Sequence, residues 1–284
     1  MPYFNIGKQM CYSIYHFFKY LITNKQHFSE VEKLENFPFD DTMFSCKNKG
    51  QFPDLIIKIN KDSSLFTGGE LIELKDSKSY TVSSFNSTIP SGQKYIDKII
   101  KSDNSNIKKQ MEEIGENIDS LPIREIFYLV RGKNKEKTKV ILVHGSFFET
   151  VKINQLIGQS FEQVLEERLQ EKDLNIDSKI KETLVNILSE QENFSKVRNV
   201  ENASVKLRFR IMTEVKPAGN ILNSKQYPEI KDNTISLVIP CHKEKDEKSI
   251  IERFSTLNLT QIERFKIKHH LNGYFLVFQA DLGE

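Results

Sequence analysis

What the chain has little of narrows its function first. Lys and Arg number 41 and Asp and Glu 39, so the net charge is only +2 and no global basic field announces a nucleic-acid binder. Any grip on a polyanion must come from a local groove. Cysteine is scarce: Cys11, Cys46 and Cys241 share no CxxC spacing and cannot all pair, which reads as a reducing, cytoplasmic protein without disulfides. No uncharged apolar run reaches membrane length. The stretch from Met10 to Ile22 carries His16 and Lys19 and lacks a small-residue cleavage site, so it reads as neither a signal peptide nor a membrane span. There is no phosphate-binding Gly-x4-Gly-Lys-Ser/Thr loop, because Gly132-Lys133 has neither the upstream glycine nor the following hydroxyl, and this argues against an ATP-driven motor. A Gly-x-Ser-x-Gly elbow and a Gly-x-Gly-x-x-Gly turn are missing too, which leaves serine-hydrolase and nicotinamide chemistry nothing to rest on.

What is present is a globular pattern. The 284 residues suffice for one elaborated domain or two small ones. Ile14, Phe17, Phe18, Leu21 and Ile22 recur at helical spacing, so residues 10–23 are expected to form an amphipathic helix lying on a sheet. Thr42 to Cys46 reads as a short first strand. The β-branched runs 55–59 and 70–74, bounded by Pro53, by Asp62-Ser63-Ser64 and by Gly68-Gly69, read as a hairpin. Helices are expected from Tyr95 to Ile100 and from Ile107 to Ile118, then strands from Glu125 to Val130 and Lys139 to Val143. Further on come helices from Leu156 to Leu169 and Ile176 to Leu188, a basic strand at 205–211, and strands at Ile235 to Ile239 and Tyr274 to Phe278. Thr260-Gln261-Ile262-Glu263 reads as a capping box for a helix between the last two.

The hairpin carries the chemistry. Alternation along a strand turns Glu73 and Lys75 to one face and Glu70 to the other, and Asp54 enters the neighbouring strand at its start. Two carboxylates about 5 Å apart repel by roughly 3 kcal/mol at an effective dielectric near 20. Such a pair either raises one pKa or holds a cation, and hard oxygen donors suit Mg²⁺.

Pro53-Asp54, eighteen residues, then Glu73-Leu74-Lys75 resembles the PD-(D/E)xK nuclease superfamily, and most of all its small type II restriction endonucleases. The resemblance covers roughly residues 10–145. It implies an α/β fold whose mixed central sheet is flanked by helices in the order helix, three strands, helix, strand, with residues 1–150 as nuclease core. Residues 151–284 are then an α+β extension for recognition or dimerisation. It further implies a Mg²⁺-dependent hydrolase of double-stranded DNA that leaves 5′-phosphates. Asp54 and Glu73 would be metal ligands together with the Leu74 carbonyl, and Lys75 would act on the attacking water. A homodimer and a companion DNA methyltransferase belong to the same implication, as does an extra acidic ligand, for which Glu30 and Glu35 are the candidates. A repair or junction-resolving nuclease on the same core, and a non-catalytic DNA-binding protein, are the alternatives.

The hydroxyl- and amide-rich segment after Lys75 suits phosphate and base-edge contact, with Lys78, Ser83, Ser84, Asn86 and Ser87 as candidates. Lys206, Arg208 and Arg210 share one strand face by period two, so Arg208 and Arg210 are candidate phosphate contacts. His144, at a strand end, reads as structural. Cys241-His242 and His269-His270 have spacing unlike a zinc finger.

Overall fold

The computed structural model describes residues 11–48, 52–59, 68–82, 84–86, 90–100, 105–149, 153–189, 212–255, 259 and 261–283. The expected basic strand at 205–211 lies outside them. Two compact units emerge. The larger comprises residues 1–83, 90–148 and 215–284, and the smaller residues 84–89 and 149–214.

The larger unit is built on a mixed sheet of nine strands among the described residues. Helix α1 (Cys11–Thr23) and a single turn, α2 (His27–Glu30), lead into β1 (Phe44–Lys47), β2 (Leu55–Ile57) and β3 (Leu71–Ser77). These three strands pair antiparallel, Phe44 with Ile57 and Leu55 with Ile72. Helix α3 (Asn106–Glu113) lies on the crossover to β6 (Ile123–Asn134), which pairs parallel with β3, Leu71 with Ile126 and Lys75 with Val130. A parallel neighbour requires such a long connection. Then β7 (Lys137–His144) returns antiparallel beside β6. The α/β class, with a large mixed sheet flanked by helices, is as expected.

Several details differ from expectation. The hairpin strands are shifted: the first ends at Ile57, and the second runs on through Asp76 to Ser77. Residues Gln93–Tyr95 form a strand, β5, paired antiparallel with the start of β6, and only a 3-10 turn (Ile96–Lys98) follows where a helix was expected. Beyond residue 150 the sheet resumes rather than giving way to an extension. Strands β9 (Thr234–Pro240), β10 (Glu263–His269) and β11 (Gly273–Asp281) continue it in the order β7-β9-β11-β10. The helix between β9 and β10 is α6 (Glu244–Ser255), with Glu244, Asp246 and Glu247 in its first turn, where acids complement the helix dipole. The expected capping box instead leads into β10: Gln261 takes a left-handed φ of 63° and Glu263 is already in the strand.

Burial of apolar faces holds these layers together. Ile14, Phe17, Phe18 and Leu21 of α1 are fully buried in one cluster with Ile72, Phe127, Leu129 and Leu237 from the sheet and with Ile250 and Phe254 of α6. Phe254 stacks on Phe278 with ring centroids 3.8 Å apart and meets Tyr15 edge-on at 5.8 Å, geometries favourable to aromatic pairs. Each such side chain contributes about 1.5–3 kcal/mol by leaving water. Cys46 and Cys241 are buried free thiols; burial first, and then Glu116, push the Cys46 thiol up to about 11.

In the smaller unit β4 (Ser84–Asn86) pairs antiparallel with β8 (Met212–Glu214). Helices α4 (Ile153–Glu171) and α5 (Ser178–Ser189) pack together, where Phe161, Leu165 and Leu169 are half-buried and Lys181 pairs with Glu162 and Glu166. Both helices are as expected to within three residues at each end.

Candidate active site

Gly68 and Gly69 lead into β3, at φ 103° and 89°, a region side-chain-bearing residues rarely enter. A Cβ on Gly68 would sit 2.1 Å from the Lys58 carbonyl oxygen, and one on Gly69 would sit 2.4 Å from the Arg124 guanidinium. The two glycines thus let β3 enter tightly against β2 and fix its register. One step beyond the Leu55–Ile72 pair, Asp54 comes level with Glu73.

Here three expected residues meet. The Leu74 backbone N–H donates to Asp54 Oδ2 at 2.7 Å, and Lys75 Nζ donates to Glu73 Oε1 at 2.8 Å. The Lys75–Glu73 ion pair is largely sheltered, with side chains 24% and 10% exposed. Burial first, and then the charge of Glu73, raise the Asp54 carboxyl to about 7, against the Leu74 amide and Lys75, which pull it down. Burial and a neighbouring carboxylate both disfavour the charged form of Asp54. Glu73 Oε2 is buried and has no hydrogen-bond partner, a costly state for a carboxylate oxygen.

The two extra acids separate. Glu30 pairs with His27 Nδ1 at 2.6 Å on α2, whereas Glu35, in the 3-10 turn Leu34–Asn36, acts on Asp54 and raises it further. That turn is held by a buried clamp that sequence reading missed. Arg131 is 1% exposed and donates to the carbonyls of Phe28, Val31 and Glu32 and to both carboxylate oxygens of Asp76, while the Leu34 N–H donates to Asp76 Oδ2 at 2.6 Å. Its sequence signal was an arginine directly after the apolar run Ile126 to Val130.

No family model, curated protein or solved structure matches the chain.

Of the expected DNA contacts, Lys78 is exposed in the turn after β3. Ser84 and Asn86 lie in β4 of the smaller unit. Ser83, Ser87, Arg208 and Arg210 lie outside the described residues. Glu70 takes the face opposite Glu73, as expected, and is buried there: Ser13 of α1 donates to its Oε1, and its Oε2 has no hydrogen-bond partner. Burial raises its carboxyl to about 7. His144 serves structure. It joins Glu125 Oε2 at 2.6 Å and Ser146 Oγ at 2.7 Å in a buried chain that Gln93 Nε2 extends to Glu125 Oε1, also at 2.6 Å. His269 caps the following turn by accepting from the Leu271 and Asn272 N–H groups, and burial first, then His270, lower it to about 4. Among the described residues no group of three or more His, Cys, Asp or Glu is arranged to hold a metal ion, so Asp54 and Glu73 are a pair. Among them, too, no helix is long and apolar enough to cross a membrane.

Proposed function

We propose that the chain is a Mg²⁺-dependent endonuclease hydrolysing phosphodiester bonds of double-stranded DNA, in the manner of type II restriction enzymes. The observation that carries this reading is the meeting of Asp54, Glu73 and Lys75 on adjacent strands, with Asp54 pushed to about 7 by burial and by Glu73. The succession α1, β1-β2-β3, α3, β6 also supports it, being the order that the resemblance implies, although α2 and the short strands β4 and β5 are interposed.

The donor set suits a hard cation: two carboxylates, one with a buried oxygen that lacks a partner, in keeping with Mg²⁺ bound by one or two carboxylates plus water and phosphate. Asp54 and Glu73 would hold it with the Leu74 carbonyl; when bound, it supplies charge neutralisation at the phosphate and a more acidic water. Glu73 fixes the Lys75 ammonium in the site. From there Lys75 orients the attacking water and stabilises charge building on the phosphate. In-line attack leaves a 5′-phosphate and a 3′-hydroxyl. As a restriction enzyme the chain would act as a homodimer, alongside a methyltransferase that protects the host DNA.

Incubating the protein with plasmid and Mg²⁺ tests the proposal. Discrete fragments that vanish in Asp54→Asn support restriction, and structure-dependent nicking assigns a repair or junction-resolving role instead. DNA left intact but bound sinks the catalytic reading.

A further inference from the structure

The short strand β5 has no part in the proposed chemistry, yet it reaches the loop that carries Asp54. Strand pairing sets Lys94 level with Arg124 and Gln93 level with Glu125. Alternation along β6 gives Arg124, Ile126 and Tyr128 one face, and Tyr128 pairs with Glu73. Lys94 thus springs from the face of the sheet that carries Glu73 and Lys75. Its Nζ stands 5.3 Å from the ring centroid of Phe52, within the range of a cation–π contact. Phe52 is two residues before Asp54. On the other side of that acid, the Asn48 N–H donates to the Asp54 carbonyl at 2.7 Å.

The base from which Lys94 reaches is rigid. Gln93 is tied to Glu125, Glu125 to His144 and His144 to Ser146, at 2.6, 2.6 and 2.7 Å. Glu125, His144 and Ser146 are all at most 6% exposed. A fully satisfied buried polar chain fixes one geometry. Here it fixes β5 against the ends of β6 and β7. Gly145 tightens the same corner, since a Cβ there would come within 1.9 Å of the Ser91 carbonyl oxygen.

We propose that Lys94 is a positioning residue for Asp54: held on β5 by the Gln93–Glu125–His144–Ser146 chain, it fixes the Phe52 ring and with it the backbone that presents the Asp54 carboxylate to Leu74 and Glu73. The pair touches no reacting atom. It sets how well Asp54 is preorganised, which decides metal affinity more than the chemical step.

The inference rests on the nuclease reading for its kinetic consequence but not for its structural one, and the test uses both. Lys94→Gln removes the cation, Phe52→Leu removes the aromatic face, and Lys94→Arg keeps a cation suited to stacking. In Lys94→Gln and in Phe52→Leu the Leu74 amide, which Asp54 Oδ2 accepts, should exchange its hydrogen roughly fivefold faster, and the Mg²⁺ concentration for half-maximal cleavage should rise by a similar factor. The double variant should be no worse than either single one, because both remove one contact, and Lys94→Arg should restore both readouts. Effects that multiply in the double variant, or a Leu74 amide unchanged in Lys94→Gln, overturn the proposal. Altered Leu74 exchange in a protein that never cleaves DNA would leave the positioning role standing and remove the nuclease reading. Cleavage lost in Asp54→Asn but untouched in Lys94→Gln would do the reverse.

Discussion

Replacing Glu70 by glutamine should make the protein more stable, by an amount that grows as pH rises from 4.5 and is complete above about 7. Glu70 is 1% exposed, and burial carries its carboxyl from 4.5 to about 7. Ser13 and the charge of Arg124 pull it back without offsetting burial, and Arg124 spends its hydrogen bonds on the Leu121, Ile118 and Gly69 carbonyls and on Glu116. A carboxyl raised on folding binds its proton more tightly in the native state, so the stability it contributes is complete below 4.5 and is lost as pH rises through about 7. At 1.36 kcal/mol per pH unit, the loss comes to about 3 kcal/mol by pH 8. Glutamine keeps an oxygen for Ser13 and never ionises. The variant should therefore match the wild type in urea unfolding at pH 4.5 and exceed it by about 3 kcal/mol at pH 8. A stability difference that is the same at both pH values, or a variant less stable at pH 8, would refute the reasoning.

Asp54→Asn, Glu73→Gln and Lys75→Ala should each lower cleavage by roughly 100-fold or more with circular dichroism unchanged, and Ca²⁺ should tighten DNA binding relative to EDTA without supporting cleavage; full cutting in EDTA would exclude a metal. Metal uptake should be proton-linked: with Asp54 at about 7, affinity should fall about tenfold per pH unit below neutrality, and calorimetry in buffers of different ionisation enthalpy should show proton release that Asp54→Asn abolishes. Arg131→Met strands Asp76 and three carbonyls and should cost roughly 3 kcal/mol in urea unfolding, part of it recovered by adding Asp76→Asn. Replacing Arg208 and Arg210 by alanine should flatten the salt dependence of DNA binding; an unchanged slope removes residues 205–211 from the DNA path.

The sequence revealed those parts of the fold whose signal is local. Helix α1 could be read from Phe17, Phe18 and Leu21, and the hairpin from Gly68-Gly69 between β-branched runs, and both put Asp54, Glu73 and Lys75 where they are. Strand β5 was missed because Gln93-Lys94-Tyr95 has no apolar alternation; pairing with β6 makes it a strand. Strand β10 does carry a period of two, with Ile267 and His269 buried and Arg264, Lys266 and Lys268 exposed, but the resemblance of Thr260 to Glu263 to a capping box hid it. The His144–Glu125 bond spans 19 residues, and the β7–β9 pairing spans residues 149–214 of the smaller unit. Neither leaves a mark in local pattern.

That last pairing bears on how the protein is made. Strand β7 gains β6 as a neighbour as soon as it leaves the ribosome, but its other neighbour, β9, begins only at Thr234. While residues 145–233 are synthesised, for roughly 5–20 s at ordinary elongation rates, the run Val140-Ile141-Leu142-Val143, wholly buried in the finished protein, has an open hydrogen-bonding edge. Such an edge templates pairing between chains. Soluble yield is therefore governed by what shields this strand on the ribosome, so slower growth or chaperone supply should raise it more than any substitution that stabilises the finished fold.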